Sequence, residues 1–189
     1  MRPIFTIHAG EFLFGEKIEK DFRSVDLWIP AKDKGVDFLI TSRSANSAVK
    51  VQVKMSKNYA IGEANSNFER ALAVGGWFNF THAALKNSPA DYWSLILVSH
   101  ERKRDPLFIN VRPSVLLEHL VKIHGNKTTY TLYPWVLKDG RCIEGRSLNS
   151  KANKERIANS TISLEERDLT AFLGNWDMIN NLTKSPTSI

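Results

Sequence analysis

The chain of 189 residues is 42% hydrophobic and 24% charged, and it carries a formal net charge of +6. This composition excludes a disordered chain, and apolar runs no longer than a strand exclude a membrane-spanning helix, which needs roughly 20 residues. A single cysteine, Cys142, excludes an internal disulfide, while the positive charge favours a polyanionic partner such as nucleic acid. We therefore expect one domain, residues 1–189, in a reducing cytoplasmic setting, with no signal peptide and no membrane partner.

The first third of the sequence predicts one helix followed by three strands. Apolar residues recur every four positions up to Phe22 in the stretch that begins at His8, which indicates a helix that carries Glu11 near its start, on the inward face. Two further stretches, Val25 to Ile29 and Val36 to Thr41, are typical of short strands. Alternation of apolar and polar residues from Ala48 to Met55 predicts a third strand, and the turn-like SRSANS segment predicts a hairpin between the second and third strands.

The remaining sequence predicts further strands and helices around the same core. Helices are expected at Asn67 to Val74, at Asn79 to Asn87, from Pro113 to a stop at Gly125, and around Leu169 to Leu173. Strands are expected at Tyr92 to His100 and Leu107 to Val111, with a hairpin that joins Tyr130 to Leu137 and Arg141 to Gly145. The mixed pattern predicts an α/β or α+β domain.

Three polar residues on the predicted first hairpin form a candidate catalytic cluster. Asp37 lies on the face of its strand opposite the apolar side chains, and Gln52 and Lys54 share the polar face of the next strand. Antiparallel pairing would bring the three together at one end of the sheet, where Glu11 of the preceding helix would complete the set. Carboxylate and amide oxygens are ligands that suit Mg²⁺, and an ammonium group stabilises the charge that develops on a phosphate during hydrolysis.

The order Glu11, Gly35-Val36-Asp37 and Gln52-Val53-Lys54 resembles the PD-(D/E)xK nuclease superfamily, which has the fold of type II restriction endonucleases and archaeal Holliday-junction resolvases. The resemblance covers residues 7–56, and the strand at Tyr92 to His100 continues it. Two positions differ from the family pattern. A valine, Val36, precedes the aspartate where proline is usual, and Gln52 replaces the second acidic residue.

The resemblance implies a three-layer, restriction-endonuclease-like α/β fold in which helices flank a central mixed sheet. The catalytic core would span residues 7–125, a hairpin and helix extension residues 126–182, and a loose tail residues 183–189. It also implies a Mg²⁺-dependent endonuclease that acts on DNA, for example in restriction-modification, with Mn²⁺ able to replace Mg²⁺. A homodimer is expected because cutting both strands of a duplex generally takes two active sites.

Individual residues receive roles by similarity to the same family. The catalytic positions are taken by Asp37, Gln52, Lys54 and Glu11. The metal ligands would be Asp37, Gln52, Glu11 and the backbone carbonyl of Val53. Three lysines, Lys32 and Lys34 before Asp37 and Lys57 after the third strand, are placed to bind DNA phosphates.

Each of these residues also has a structural interpretation. Gln52 and Lys54 fit the solvated face of an edge strand, and Asp37 fits a turn cap. Glu11 fits the favourable charge of a helix N-terminus, and Asp26 on the preceding strand is a competing metal ligand. Two alternative functions stay open: a non-catalytic DNA-binding protein that keeps the nuclease fold, and an interaction domain with no nucleic-acid role.

Other residue types predict less chemistry. The five histidines have no zinc-like spacing, and no glycine-rich phosphate loop followed by Gly-Lys-Ser/Thr is present, so we expect neither zinc nor ATP. Tryptophans at this frequency are typical of core packing, and this interpretation covers Trp28, Trp93, Trp135 and Trp176. Trp77, which follows Gly75 and Gly76, is the tryptophan for which a surface role is considered.

Overall fold

A computed structural model describes residues 8–32, 34–43, 47–57, 66–99, 105–161 and 164–183. The helices in this part of the chain are α1 (Ala9–Asp21), α2 (Asn67–Ala71), α3 (His82–Lys86), α4 (Pro113–His124), α5 (Lys151–Ala158) and α6 (Asp177–Thr183). The strands are β1 (Val25–Trp28), β2 (Phe38–Ser42), β3 (Ala48–Lys57), β4 (Leu72–Gly75), β5 (Phe78–Thr81), β6 (Tyr92–Val98), β7 (Leu107–Val111), β8 (Thr129–Leu132), β9 (Pro134–Leu137) and β10 (Cys142–Glu144). Two 3₁₀ turns, Glu165–Arg167 and Thr170–Phe172, precede α6.

A five-stranded sheet in the order β1-β2-β3-β6-β7 forms the centre of the described structure. β1, β2 and β3 are antiparallel neighbours, with Leu27 opposite Ile40 and Phe38 opposite Val51. β6 runs parallel to β3, and β7 runs antiparallel to β6. A parallel pair requires a long crossover connection, which the chain between β3 and β6 supplies. The central sheet is therefore mixed.

Helices α1 and α6 cover one face of this sheet. Phe14 and Ile18 of α1 and Ile179 of α6 are buried there against Ile40 of β2 and Val51 of β3. The spacing of four between Phe14 and Ile18 places both side chains on the same side of the helix. Because side chains alternate along a strand, the residues between the buried apolar positions of β2 and β3 face the other side of the sheet.

The opposite face of the sheet is covered over strands β6 and β7. Trp93 and Leu97 of β6 pack there with Phe80 of β5 and Leu120 of α4 in the largest buried apolar cluster of the described residues. Two small sheets, in the orders β10-β9-β4 and β5-β8, contribute to this layer. A further apolar cluster, which includes Phe68 and Trp135, joins α2 to the β9–β10 hairpin.

These observations confirm a mixed α/β fold with a central mixed sheet flanked by helices. The hairpin predicted around Lys138, Asp139 and Gly140 is also present, as antiparallel β9 and β10. The second strand begins at Phe38, two residues later than predicted. No helix within the described residues is both long and apolar enough to cross a lipid bilayer.

Two of the predicted helices in the middle of the chain are shorter than predicted, because part of each predicted range is a strand. In the predicted helix at Asn79 to Asn87, the first residues belong to β5, which pairs with β8, and the helix is limited to His82–Lys86. The buried-exposed alternation of β5 has the period of a strand. The predicted helix at Asn67 to Val74 ends at Ala71 because the next residues form β4, which pairs with β9. In both places strand pairing overrides the local helical pattern.

The predicted strand from Tyr130 to Leu137 divides into two. Its first part, β8, pairs with β5, while its second part, β9, pairs with β4 and β10. Tyr133 lies between them and belongs to neither strand. Residues typical of strands stand on both sides of Tyr133, so the sequence pattern does not show that the chain passes from one sheet to another.

The C-terminal region is more ordered than the sequence predicts. Its polar stretch contains α5, which begins after Ser150, whose hydroxyl accepts the backbone N–H of Asn153 at 3.2 Å. The helix expected at Leu169 to Leu173 is a 3₁₀ turn, and α6 follows it. Met178 of α6 is buried against the central sheet, so this region contributes to the main core. The last residues of the predicted tail, 184–189, lie outside the described residues.

Substitution of two glycines of α1 should have opposite effects on stability. A Cβ atom on Gly10 would lie 2.8 Å from the Cβ of Met55, which cannot move without its backbone, whereas one on Gly15 would lie 3.6 Å from the Cδ2 of Leu27, an ordinary contact. We expect Gly10→Ala to lower the free energy of unfolding by about 1–3 kcal/mol. Gly15→Ala should raise it by up to about 1 kcal/mol, because alanine favours the helix. Urea denaturation measures both, and a stabilised Gly10→Ala variant would contradict the close packing of α1 on β3.

Candidate functional site

The end of the β2–β3 ladder places Asp37 directly beside β3. Phe38 and Val51 form the last residue pair of this ladder. One residue earlier, the backbone N–H of Asp37 donates to the carbonyl of Val51 at 2.9 Å. The Oδ2 atom of Asp37 accepts the backbone N–H of Val53 at 2.6 Å. The carboxylate thus takes the place of a ladder carbonyl and lies against the segment of β3 that carries the two other predicted site residues.

Gln52 and Lys54 lie on either side of Val53 and face away from α1. The side chains of Val53 and Met55 are directed towards Gly10 of α1, so alternation turns Gln52 and Lys54 to the opposite face. Both side chains are half-buried. The structure therefore brings Asp37, Gln52 and Lys54 to neighbouring positions on two strands, as the sequence predicts.

Gln52 and Lys54 have different neighbours. A Cβ atom on Gly35 would lie 4.0 Å from Nε2 of Gln52 and 3.4 Å from Cγ of Pro89, and Gly35 has a φ of +80°, which disfavours other residues. The Nζ atom of Lys54 lies 5.3 Å from the ring centroid of Trp93, within the range of a cation–π interaction. The indole of Trp93 is itself fixed by donating to Oγ of Ser88 at 2.8 Å. The ammonium group of Lys54 thus has a defined partner, and the Gln52 amide lies beside the turn at Gly35.

Glu11 lies on the side of the sheet opposite Gln52 and Lys54. It belongs to the first turn of α1, and its Oε2 atom accepts the backbone N–H of His8 at 3.2 Å, which completes a capping box. The structure thus gives Glu11 a helix-capping role, in agreement with its structural interpretation. Within the described ranges, no group of three or more His, Cys, Asp or Glu side chains forms a metal-binding cluster.

The predicted phosphate-binding lysines are only partly described. Lys32 and Lys34 are exposed in the loop that precedes Gly35. The side chain of Lys57 lies outside the part of the chain that the structure describes. Lys50, two residues before Gln52 on the same face of β3, is exposed and adds a positive charge that the sequence analysis did not assign to the site.

Two tryptophans expose their side chains near this cluster. The side chain of Trp28 is 58% exposed and that of Trp77 is 48% exposed. The prediction that Trp28 packs in a core is wrong, because β1 is the edge strand of the sheet and only the face that carries Leu27 packs against α1. Trp77, for which a surface role is considered, is exposed as such a role requires. The sequence contains a signal for the exposure of Trp28. The polar residue Asp26 lies two positions before Trp28, on the same face of the strand, which indicates that this face is solvated.

A second cluster of charged side chains, around Glu144, is structural. Glu144 is fully buried, and its carboxylate accepts the backbone N–H groups of Tyr133 at 3.2 Å and Arg146 at 3.0 Å. The Nη1 atom of Arg167 donates to its Oε2 at 2.8 Å, and Nε2 of His124 lies 3.3 Å from the same oxygen. These contacts join β10, α4 and the 3₁₀ turn at Glu165–Arg167. A carboxylate with this burial and these partners holds elements together and does not meet a substrate.

Burial determines the ionisation of this second cluster. It raises the pKa of Glu144, while the hydrogen bonds from Arg146 and Tyr133 and the charge of Arg167 oppose that rise. Burial, followed by the positive charges of Arg167 and Arg146, lowers the pKa of His124 to about 4. The imidazole is therefore neutral near pH 7. Burial also raises the pKa of the Cys142 thiol, which makes that cysteine unreactive.

Comparison with protein-family models, with curated protein sequences and with solved structures gives no significant match for this chain. Its function is therefore argued from the geometry of its own residues.

Two substitutions of Asp37 should separate its structural role from its charge. Asp37→Ala removes the acceptor of the Val53 N–H, and we expect a loss of about 1–2 kcal/mol in the free energy of unfolding. Asp37→Asn keeps a side-chain oxygen at that place and should lose less than half as much. Asp26→Ala on the neighbouring strand removes only an exposed pair with Arg43, at 3.4 Å, and should change stability little. Urea denaturation tests all three, and equal losses for Asp37→Ala and Asp26→Ala would contradict the assigned hydrogen bond.

Loss of the Glu144 charge should destabilise the protein strongly. In Glu144→Gln the guanidinium of Arg167 loses its buried counter-charge, and breaking a buried pair of this kind costs about 3 kcal/mol or more. Asp139→Asn removes one partner of an exposed pair with Arg141 and should cost less than about 1 kcal/mol. Chemical denaturation of the two variants measures the difference. Equal, small losses would mean that Glu144 is already neutral in the folded protein.

Proposed function

We propose that the protein is a Mg²⁺-dependent endonuclease that hydrolyses DNA phosphodiester bonds at Asp37, Gln52 and Lys54. One observation carries the proposal. The carboxylate of Asp37 is hydrogen-bonded at 2.6 Å to the backbone of Val53, the residue between Gln52 and Lys54. The carboxylate thus lies beside the segment of β3 that carries the amide of Gln52 and the ammonium group of Lys54. The order of helix, three antiparallel strands and a fourth, parallel strand, β6, supports a restriction-endonuclease-like fold.

The oxygen donors at this place fit Mg²⁺. The N–H and the carbonyl of one residue in a strand point to the same side, so the Val53 carbonyl is directed towards the side of Asp37, beyond the last pair of the β2–β3 ladder. It would join the carboxylate of Asp37 and the amide oxygen of Gln52 as hard ligands. An ionised carboxylate accepts at two oxygens, each in more than one direction, so the bond from Val53 is compatible with coordination by Asp37.

The proposal leaves Glu11 out of the ligand set. Its carboxylate already caps α1, and α1 covers the face of the sheet opposite Gln52 and Lys54. The ligands that the chain would supply are therefore Asp37, Gln52 and the Val53 carbonyl. This set carries one negative charge, which suits a cation that keeps several of its water ligands.

The chain's own residues have separate tasks in hydrolysis. A bound Mg²⁺ would polarise the scissile phosphate and lower the pKa of a coordinated water. Asp37, just before β2, and Gln52, on β3, would hold this cation and so orient the phosphate. Lys54, whose Nζ lies 5.3 Å from the centroid of the Trp93 ring, would offset negative charge on the phosphate in the transition state. Lys32 and Lys34 lie near enough in sequence to bind the flanking backbone phosphates. A homodimer would supply a second site for the second strand.

A second function, DNA binding without cleavage, has one observation in its favour. Gln52 is neutral, so the site lacks the negative charge that a second carboxylate would contribute. The same fold and the same basic residues would then serve only to hold DNA. The two functions differ in whether Asp37 and Lys54 are needed for a chemical step.

Nicking of supercoiled plasmid separates these functions. We expect the wild-type protein to nick the plasmid with Mg²⁺ or Mn²⁺, and EDTA to abolish nicking. Asp37→Asn and Lys54→Met should each lower the rate by about 100-fold or more, because the first removes the anionic ligand of Mg²⁺ and the second the ammonium group that offsets charge on the reacting phosphate. Lys122→Ala is the charge-matched control. It removes an exposed lysine of α4 that pairs with Glu166, and it should keep the wild-type rate.

Two results would overturn the catalytic assignment. Nicking by Asp37→Asn at the wild-type rate would mean that the activity resides elsewhere or in a contaminant. Equal DNA binding by all the variants without nicking by any of them would favour the non-catalytic function. Thermal unfolding of each variant shows whether a lost activity reflects a lost fold.

A further inference from the structure

The half of the central sheet formed by β1, β2 and β3 has one accessible face. Helices α1 and α6 pack on the opposite face. The layer that contains β5 and α4 is on the same side as the accessible face, but it packs mainly against β6 and β7. Trp28 and Lys50 are exposed on this face, and Asp37, Gln52 and Lys54 are half-buried on it. We call the surface that carries these five residues the open face.

Trp28 presents an oriented indole on the open face. Its Nε1–H donates to Oγ1 of Thr41 on β2 at 3.0 Å, while 58% of the side chain remains exposed. Trp28 is opposite Leu39, and Leu39 is opposite Lys50, so the indole lies two strands from β3 on the same side of the sheet. A single exposed apolar side chain needs no explanation. A ring that is held in place on the same face as a candidate phosphate site is suited to stacking against a planar partner.

Trp77 has its backbone at the far end of the open face. Its backbone N–H donates to Oγ of Ser56 at 2.9 Å, and Ser56 follows Lys54 by two residues on the same face of β3. The side chain of Trp77 is 48% exposed. Between Lys50 and Ser56 the strand rises by about 20 Å. The Trp28 indole and the backbone of Trp77 therefore lie at opposite ends of a strip that contains Gln52 and Lys54.

The charges on the open face favour an anionic partner. Lys50 and Lys54 contribute two positive charges to β3. Of the acidic groups nearby, Asp26 is paired with Arg43 at 3.4 Å. Asp91 uses its carboxylate to accept the backbone N–H of Lys50 at 2.8 Å, and Asp37 accepts that of Val53. Lys32 and Lys34 are exposed just before Gly35, which neighbours Gln52, so five basic side chains (Lys32, Lys34, Lys50, Lys54 and Arg43) face these three carboxylates among the described residues. A surface with excess positive charge and exposed aromatic rings is the arrangement with which proteins hold single-stranded nucleic acid.

We propose that the open face binds unpaired DNA, with Trp28 and Trp77 stacking on bases on either side of the phosphate that Asp37, Gln52 and Lys54 act on. In a duplex the bases stack on one another and their faces are inaccessible, whereas in a single strand, a flap or a junction they are accessible to aromatic side chains. The inference rests on the proposed nuclease function for its link to cleavage. It assigns to that nuclease a substrate class, DNA with an unpaired segment.

Binding measured in EDTA tests the inference without any cleavage. The probes are a fluorescein-labelled mixed-sequence oligonucleotide as a single strand, the blunt duplex of the same sequence, and the duplex with a single-stranded flap, each at low salt. Fluorescence anisotropy should show the full-length protein binding the single strand and the flap more tightly than the duplex. Trp28→Ala and Trp77→Ala should each weaken binding to the single strand by about 5- to 100-fold, the loss expected for one base stacked on one aromatic ring. Their binding to duplex should stay unchanged.

Phe12→Ala is the matched control for removal of an exposed aromatic ring. Phe12 is 61% exposed but belongs to α1, which lies on the covered side of the sheet, so its loss should not alter binding. Trp28→Phe keeps a ring without the bond to Thr41 and should restore most of the single-strand binding that Trp28→Ala loses. A loss in Phe12→Ala as large as that in Trp28→Ala would overturn the assignment, and so would equal binding of duplex and single strand by the wild-type protein. Tighter binding of an RNA strand than of the DNA strand would overturn the choice of DNA.

This inference and the proposed function fail in different ways. If the protein binds single strands through both indoles but never nicks DNA in Mg²⁺, the inference stands and the nuclease assignment fails. If it nicks duplex plasmid through Asp37 while Trp28→Ala binds and cuts every probe like the wild type, the nuclease assignment stands and the inference fails.

Discussion

The candidate site depends on one hydrogen bond, from the backbone N–H of Val53 to the carboxylate of Asp37, at 2.6 Å. It forms where the β2–β3 ladder ends, at the pair of Phe38 and Val51. Beyond that pair, the backbone N–H and carbonyl groups of β3 that point to the β2 side need hydrogen-bond partners other than the backbone of β2. The side chain of Asp37 accepts the N–H of Val53, and the Val53 carbonyl is directed to the same side. The end of a ladder thus concentrates oxygen atoms that a cation can use.

Two glycines allow this geometry. Gly35, with its positive φ, turns the chain into β2 beside Pro89 and Gln52. Gly10 lets α1 approach so closely that an added Cβ would clash with Met55. The helix therefore fixes the apolar side of β3, and the turn fixes the start of β2. With both strands held, the carboxylate and the polar side of β3 keep their relative positions without an ion to hold them together, which is what preorganisation of a catalytic site requires.

The local pattern predicts the central elements well because their alternation is uninterrupted. On β3 the apolar residues face α1 and the polar residues face the open side, and this single observation places Gln52 and Lys54 together. The pattern fails where pairing partners are distant. β8 and β9 form a continuous run of residues typical of strands, and only their partners β5 and β4 show that the run divides at Tyr133. The prediction that Trp28 packs in the core is wrong for a related reason. The exposure of this side chain follows from the edge position of β1, which the sequence does not reveal. The sequence indicates a favourable charge for Glu11 at the helix N-terminus, but its capping role depends on a backbone contact to His8 that the sequence does not reveal.

A neutral glutamine in the ligand set has a consequence for the surrounding lysines. With Asp37 as the only carboxylate of the proposed set, the site has less negative charge to balance the ammonium of Lys54 than a site with two carboxylates would. The cation–π contact with Trp93 gives Lys54 a partner that carries no net charge, so the ammonium would remain available to a phosphate. Lys50, exposed on the same face, would add its positive charge. In the proposed nuclease, the DNA backbone would therefore associate with the site first through its phosphates, and the metal would bind afterwards.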